Sequence, residues 1–172
     1  LKQVSPMNNP IIINSIRFIL LVLLQVLLLN HINLFGNLNP LLYILFIIWY
    51  PTDNNRILFI FLSFLIGLSI DSFTDSGGVH AAASVFLAYI RPYVLKLSFG
   101  SSIEKQSLKL GQTPYPQRFI YLLILILTHH LILFSLEIFS FAHILLLLQK
   151  TFYTSIFTFI LCVLSISLFR RK

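Results

Sequence analysis

Charge is what this sequence has least of. Only 10% of its 172 residues are charged, against about 25% in a soluble domain. With 5 acidic and 12 basic side chains beside 58% hydrophobic residues, no polar skin can be made for a water-soluble core. That excludes a soluble globular domain, disorder and a fibrous repeat. Cysteine is almost missing too. Cys162 stands alone, so it has neither a disulfide mate nor a metal-ligand companion, and it reads as a small packing residue in a helix. The alternation of apolar and polar residues that a membrane β-barrel requires is also missing. Runs such as 18–24 and 122–127 are apolar on every side. The chain therefore reads as an all-α integral membrane protein. The net charge of +7 is expected to follow membrane topology, with no nucleic acid as partner.

Six hydrophobic segments are expected, at about 11–30, 38–50, 56–71, 79–98, 118–137 and 150–169. A span needs about 20 apolar residues, so the second and third are short and look like a helical hairpin. Pro40 and Pro51 bracket the second, and 51–55 has the Pro, Asp and Asn of a tight turn. The first segment is read as a retained span, because no small-residue cleavage site follows Leu29. Met7 is expected as the natural start, with Leu1 from a non-standard start codon as the alternative.

Placing the N-terminus in the cytoplasm puts every basic residue except Lys150 of the 12 on the inner side. That obeys the positive-inside rule and predicts six transmembrane helices, N-in and C-in. The expected organisation is a cytoplasmic tail at 1–10, one membrane domain at 11–169 and a basic cytoplasmic end at 170–172. A cytoplasmic loop at 99–117 carries Lys105 and Lys109, one helical turn apart. That pair reads either as a solvated face near anionic headgroups or as a docking site for a cytoplasmic partner. The stretch 138–149 is apolar but short, and fits the outer interface or an extension of the flanking helices.

Helices in lipid associate through small residues and a few hydrogen bonds. Three segments carry such stripes: Ser63, Gly67 and Asp71 on the third; Gly77, Ala81, Ser84, Ala88 and Arg91 on the fourth; Thr151, Thr154, Thr158, Cys162 and Ser165 on the sixth. Spacings of three and four keep each set on one face. Each stripe serves either internal packing, with hydroxyls bonded back to their own helix, or a seam for a partner's transmembrane helix. Between the third and fourth segments, Asp75 and Ser76 are expected to cap the next helix, Gly77 and Gly78 to allow a sharp re-entry, and His80 to bond a carboxylate. The same cluster suits a recognition surface or a cation site.

His129 and His130 lie roughly 15 Å beyond Arg118 along a helix, near mid-bilayer. An ionisable group there is a functional candidate. A structural bond to Asp71, Gln25 or a hydroxyl stripe is the favoured reading, a metal or proton site the other. Glu137 shares a face with His130. Arg91, next to the helix-bending Pro92, can snorkel to the headgroups.

Catalysis is not expected. Gly67-Leu-Ser69-Ile lacks the second glycine of a serine-nucleophile turn, Asp71 and Asp75 sit on one turn instead of converging from two helices, and three or four convergent zinc ligands are missing. No catalytic, cofactor or metal residue is assigned.

Three runs carry a family likeness: Gly67-Leu-Ser-Ile-Asp71, Gly78-Val-His80-Ala-Ala-Ala83 and Tyr89-Ile-Arg91-Pro92. In this order they resemble the rod shape-determining MreD family. The stretch Gly111 to Pro114 through Tyr121, with His129-His130 and Glu137-Ile-Phe139, looks like the version in Bacteroidetes-type bacteria. The resemblance covers roughly residues 7–170. It implies a multi-pass, non-enzymatic scaffold of the bacterial inner membrane, within the machinery for lateral peptidoglycan synthesis. Its implied partners are MreC, through transmembrane contacts, then RodA with its penicillin-binding transpeptidase, and MreB. It also implies a fold similar to the substrate-binding S-components of energy-coupling vitamin transporters, which keeps a small-molecule-binding transport subunit as the alternative. The S-component docking face, alanine-x-x-x-alanine on the first span, is missing from 11–30. The residues expected to shape a partner contact are Ser63, Gly67, Asp71, Asp75, Gly77, Gly78, His80, Ala81, Ser84, Ala88 and Arg91.

Overall fold

The computed structural model describes residues 10–33, 38–52, 55–100, 110–139 and 143–168. Lys105, Lys109, the turn residues Asp53 and Asn54, and both chain ends lie outside the described residues. Helix α1 (Pro10–Leu27) continues into a single 3-10 turn at Leu29–His31. It is followed by α2 (Ile44–Trp49), α3 (Arg56–Thr74), α4 (Val79–Phe99), α5 (Tyr115–Ile138) and α6 (Ile144–Leu168). The described residues contain no β-strand. Four segments are long and apolar enough to cross a membrane: Ile11–His31, Arg56–Thr74, Tyr115–Ile138 and Ile144–Leu168. α4 is as long, at 21 residues, but carries His80, Ser84, Arg91, Lys96 and Ser98. The chain is an all-helical, multi-pass membrane protein. Large apolar side chains such as Ile57, Leu97, Leu145 and Leu168 point outward, as a surface facing lipid does.

The second segment departs from expectation. Only Ile44–Trp49 is helical, a length of about 9 Å. The two prolines explain it. Pro40 disfavours helix at the residue before it. Pro51 does the same to Tyr50, whose φ −59° and ψ 135° end the helix. The segment is not peripheral: Ile44, Leu45, Phe46, Ile47 and Ile48 are all buried. The apolar stretch after Glu137 resolves in part, since α6 begins at Ile144.

α3 and α4 run antiparallel, as do α5 and α6. The end of α3 meets the start of α4 where Asp71 bonds the Ala81 N–H, and the start of α3 meets Arg91 where Phe59 lies 5.1 Å under its guanidinium. α5 and α6 touch at one end through Glu137 and Lys150, 3.0 Å apart, and near the other through the rings of Phe119 and Phe159.

α3 and α4 cross closely at Gly67. A Cβ placed on Gly67 would lie 2.5 Å from both the Ala81 Cα and the His80 carbonyl oxygen. Only glycine lets two backbones meet this closely. One turn further, the Asp71 carboxylate accepts from the His80 N–H at 3.0 Å and the Ala81 N–H at 2.8 Å, and Ser76 donates to it. The start of α4 is thus capped from the preceding helix. This corrects the expectation for Asp75 and Ser76. Gly78 is the N-cap residue, with no capping side chain, and Asp75 instead ends α3 in the left-handed region at φ 53°. Gly77 at φ 67° and Gly78 at φ 94° supply the re-entry, because side chains disfavour those angles.

Candidate functional site

A helix leaves its first four N–H and last four C=O groups without intrahelical partners, which in a six-residue helix is most of them. Inside an apolar bundle, each such group costs several kcal/mol unless a side chain satisfies it. The buried polar residues of this protein do that for α2, at both ends. Ahead of α2, Gln25 Oε1 accepts from the Leu42 N–H at 2.8 Å and the Tyr43 N–H at 3.4 Å. Its amide nitrogen donates to the Pro40 carbonyl at 3.1 Å and to Asn30 Oδ1 at 2.8 Å. The Thr158 hydroxyl, reaching in from α6, accepts from the Leu41 N–H at 3.0 Å. After α2, Arg91 donates to the carbonyls of Ile48, at 3.2 Å, and Tyr50, and to the Tyr121 hydroxyl at 2.9 Å. Arg91 is 3% exposed. It does not snorkel; a guanidinium with several N–H groups can serve two carbonyls and a phenol together, which a headgroup-seeking side chain would leave unmet.

The histidines form a second network. The Tyr43 hydroxyl lies 2.9 Å from His80 Nδ1 and 2.8 Å from His129 Nε2. One hydroxyl has one proton, so it donates to one ring and accepts from the other. His130 has a settled tautomer. Its Nδ1 meets the Ile126 carbonyl at 2.8 Å, which only accepts, so Nδ1 carries the proton. Nε2 then accepts from the Thr158 hydroxyl at 3.2 Å. His130 thus bonds the hydroxyl stripe, one of the partners expected for it. His129 bonds Tyr43, which was not expected. The His80 side chain also turns to Tyr43; its backbone N–H, and not its ring, meets the Asp71 carboxylate. Glu137 does not join His130. It pairs with Lys150 and stays accessible.

The three small-residue stripes, read as either internal packing or a seam, face inward except at Gly77 and the half-buried Ser165. Ser63, Gly67, Asp71, Ala81, Ser84, Ala88 and Arg91 are all buried, as are Thr151, Thr154, Thr158 and Cys162 on α6. Ser63 donates to the Phe59 carbonyl of its own helix at 2.8 Å, the back-bonding expected of packed hydroxyls. Asp75 and Gly77 are exposed in the turn.

The surface of the described residues includes an apolar groove and a half-polar cavity. An apolar groove of about 580 Å³ lies between α3 and α4, floored by Gly78, Ala81, Ala82 and Val85 and walled by Phe64 and Phe86. A half-polar cavity of about 390 Å³ opens where the ends of α1, α3 and α5 meet the starts of α4 and α6. Asn30, Asn39, His80, Glu137, Lys150 and Thr154 line its polar part. Among the described residues no three His, Cys, Asp or Glu side chains are placed to hold a metal ion.

Sequence reading missed Tyr43, Tyr121 and the capping role of Gln25. The available signal was a proline-bracketed apolar run too short to span as helix, which must draw polar caps from its neighbours. No family model, no curated protein and no solved structure matches this chain.

Proposed function

We propose that the chain is a non-enzymatic scaffold of the bacterial inner membrane, of the MreD type, with six spans and both ends in the cytoplasm. Its role is to hold MreC through transmembrane contact within the machinery for lateral wall synthesis. RodA with its transpeptidase and MreB are further members of that assembly. The observation that carries this reading is the α3–α4 groove. Its floor of Gly78, Ala81 and Ala82 offers the small residues that allow a third helix to approach closely in lipid. The groove lies on the outer side of a crossing already locked by Gly67 and Asp71, so a docked helix would meet a rigid surface.

The test is native mass spectrometry of the protein released gently from its own membranes, beside an Ala82→Leu variant. Ala82 is exposed in the groove, so leucine fills the floor without entering the core. The wild type is expected to retain MreC and the variant to lose it. Equal retention by both would end the groove reading, and the absence of MreC from both would end the scaffold reading.

A second reading is favoured by the half-polar cavity: a membrane subunit, similar to the S-components of vitamin transporters, that binds a small molecule.

A further inference from the structure

The end of the α3–α4 pair remote from Gly78 carries a basic, aromatic strip that neither polar network uses. Arg56 opens α3 and is exposed, and the apolar Ile57 and Phe61 that follow it are exposed as well, as lipid-facing side chains are. The Arg56 guanidinium lies over the Tyr89 ring, 5.3 Å from its centroid, and one N–H makes a long bond of 3.4 Å to the Tyr89 carbonyl. Both contacts hold the group in place, and neither neutralises its charge. A guanidinium has five N–H groups, so most are left for another acceptor. On α4, Tyr89, Tyr93 and Lys96 step by four and three and share one face. All three are exposed, and the two rings lie 6.3 Å apart. Tyr89 also lines the apolar groove, together with Ile60 and Phe86. The described carboxylates lie elsewhere: Asp71 and Asp75 at the far end of α3, and Glu137 at the far end of α5, paired with Lys150. A guanidinium at the edge of a lipid-facing surface is costly unless it meets an anion. Phosphate is the anion that a bilayer presents at its interface, and it suits the planar fork of arginine.

We propose that this strip binds one anionic phospholipid, with its phosphate at Arg56, the rest of its headgroup at Lys96 and the Tyr93 hydroxyl, and an acyl chain against Ile60 and Phe86 in the near end of the groove. Charge complementarity selects the occupant. Two cations face the headgroup, and charge-assisted bonds to phosphate are the stronger ones. A zwitterionic headgroup brings its own ammonium, which the two cations repel. By the positive-inside reading this end of the bundle faces the cytoplasm, and the cytoplasmic leaflet supplies anionic lipid. The groove floor at Ala81 and Ala82 lies seven or more residues along α4 from Tyr89, about 10 Å of helix. The lipid therefore leaves the floor to a helix, and the inference does not depend on the scaffold reading.

The test uses the full chain, delipidated in an uncharged detergent, with phosphatidylglycerol and phosphatidylcholine of identical acyl chains as probes and native mass spectrometry as the readout. About one equivalent of phosphatidylglycerol is expected to bind, at least tenfold more tightly than phosphatidylcholine. A cation near a membrane surface is worth about a factor of five in affinity for anionic lipid. Arg56→Gln and Lys96→Gln should each weaken phosphatidylglycerol by about that factor and leave phosphatidylcholine unmoved. Lys96 is exposed, so its variant keeps the test decisive if Arg56→Gln lowers stability. Arg118→Gln removes a charge at the same end of the bundle but on α5, and should change nothing. Equal binding of the two lipids would overturn the proposal. So would phosphatidylglycerol binding unmoved by both variants, which would mean that Arg56 is already neutralised, as by Asp53, a residue outside the described ones. An equal loss in Arg118→Gln would reduce the effect to net charge and overturn the site. Protein from its own membranes that retains a protein partner, releases it in Arg56→Gln and holds no phospholipid would assign the strip to an acidic partner segment and overturn the lipid. Absence of MreC, the outcome that ends the scaffold reading, leaves the lipid result standing.

Discussion

Replacing Tyr43 with phenylalanine removes one oxygen and no packing volume from a side chain that is 0% exposed. That oxygen joins His80 at 2.9 Å and His129 at 2.8 Å. Hydrogen bonds between membrane helices average about 0.6 kcal/mol, so the two bonds alone account for about 1.2 kcal/mol. The orphaned ring atoms add to this. Tyr43 accepts from one ring, so its loss strands an N–H, and it donates to the other, so its loss strands a lone pair. A stranded buried polar atom costs about 1–3 kcal/mol. His129 is 0% exposed and cannot recruit water without opening the bundle, whereas His80, at 9%, borders the cavity and can. One full penalty is therefore expected, near His129, and the total for Tyr43→Phe is about 3 kcal/mol. Reversible unfolding in mixed micelles measures it. Tyr153→Phe, at 51% exposure, is the control and should stay within about 0.5 kcal/mol. A double variant with His129→Phe should cost less than the two single changes summed, since the shared bond is lost only once. A Tyr43→Phe cost below about 0.5 kcal/mol would refute the burial and the two-ring bridge together.

Gly67→Ala should lower stability by about 1–3 kcal/mol in the same unfolding assay, despite alanine's better helix propensity. The new Cβ meets Ala81 and His80 backbone atoms at 2.5 Å and has no rotamer to escape through; an unchanged or raised stability would contradict the close crossing. Arg91→Met should cost about 3 kcal/mol, because the Tyr50 carbonyl loses the guanidinium and that of Ile48 keeps only Tyr121 at 3.4 Å. Arg91→Lys should fall between methionine and wild type, since a single ammonium cannot reach two carbonyls and a phenol as a planar fork does; equal stability of all three would show that the α2 carbonyls are satisfied elsewhere.

The membrane class was readable from charge and apolar length alone, because those quantities need no tertiary information. α3, α4 and α5 fall within a few residues of their expected positions, for the same reason: Asn55 supplies an N-cap for α3, and Gly100 stops α4 in the left-handed region at φ 83°. Partners were not readable. Asp71 and Asp75 are both carboxylates near the start of α4, and local spacing favours Asp75. The close approach at Gly67 brings Asp71 to the free N–H groups first. Arg91 near a helix end looks like a snorkelling residue until α2 is known to stop at Trp49 and leave carbonyls behind it. Small-residue stripes face the same limit. Ala81 and Ala82 are neighbours of equal size, yet Ala81 is buried against α3 and Ala82 is exposed in the groove, and nothing in either side chain records which way the helix turns.

The arrangement of the two polar networks bears on how the scaffold and binding readings relate. The His80–Tyr43–His129 group adjoins the outward cavity, and the Arg91–Tyr121 group sits at the other end of α2. Between them lie Ile44, Ile47, Ile66, Leu87, Leu122 and Leu125, all buried to 1% exposure or less. His129 and Tyr121 are eight residues apart on α5, about 12 Å of helix. A polar solute or a proton passing from one network to the other would have to cross that largely apolar layer, at several kcal/mol for each polar group left bare. Both networks are held to α2 through its own backbone or Tyr43, so opening the layer would also uncap the short helix. A molecule bound in the cavity is therefore expected to stay on its own side. A transport reading would require both networks and the short helix to rearrange together, whereas a scaffold reading requires neither.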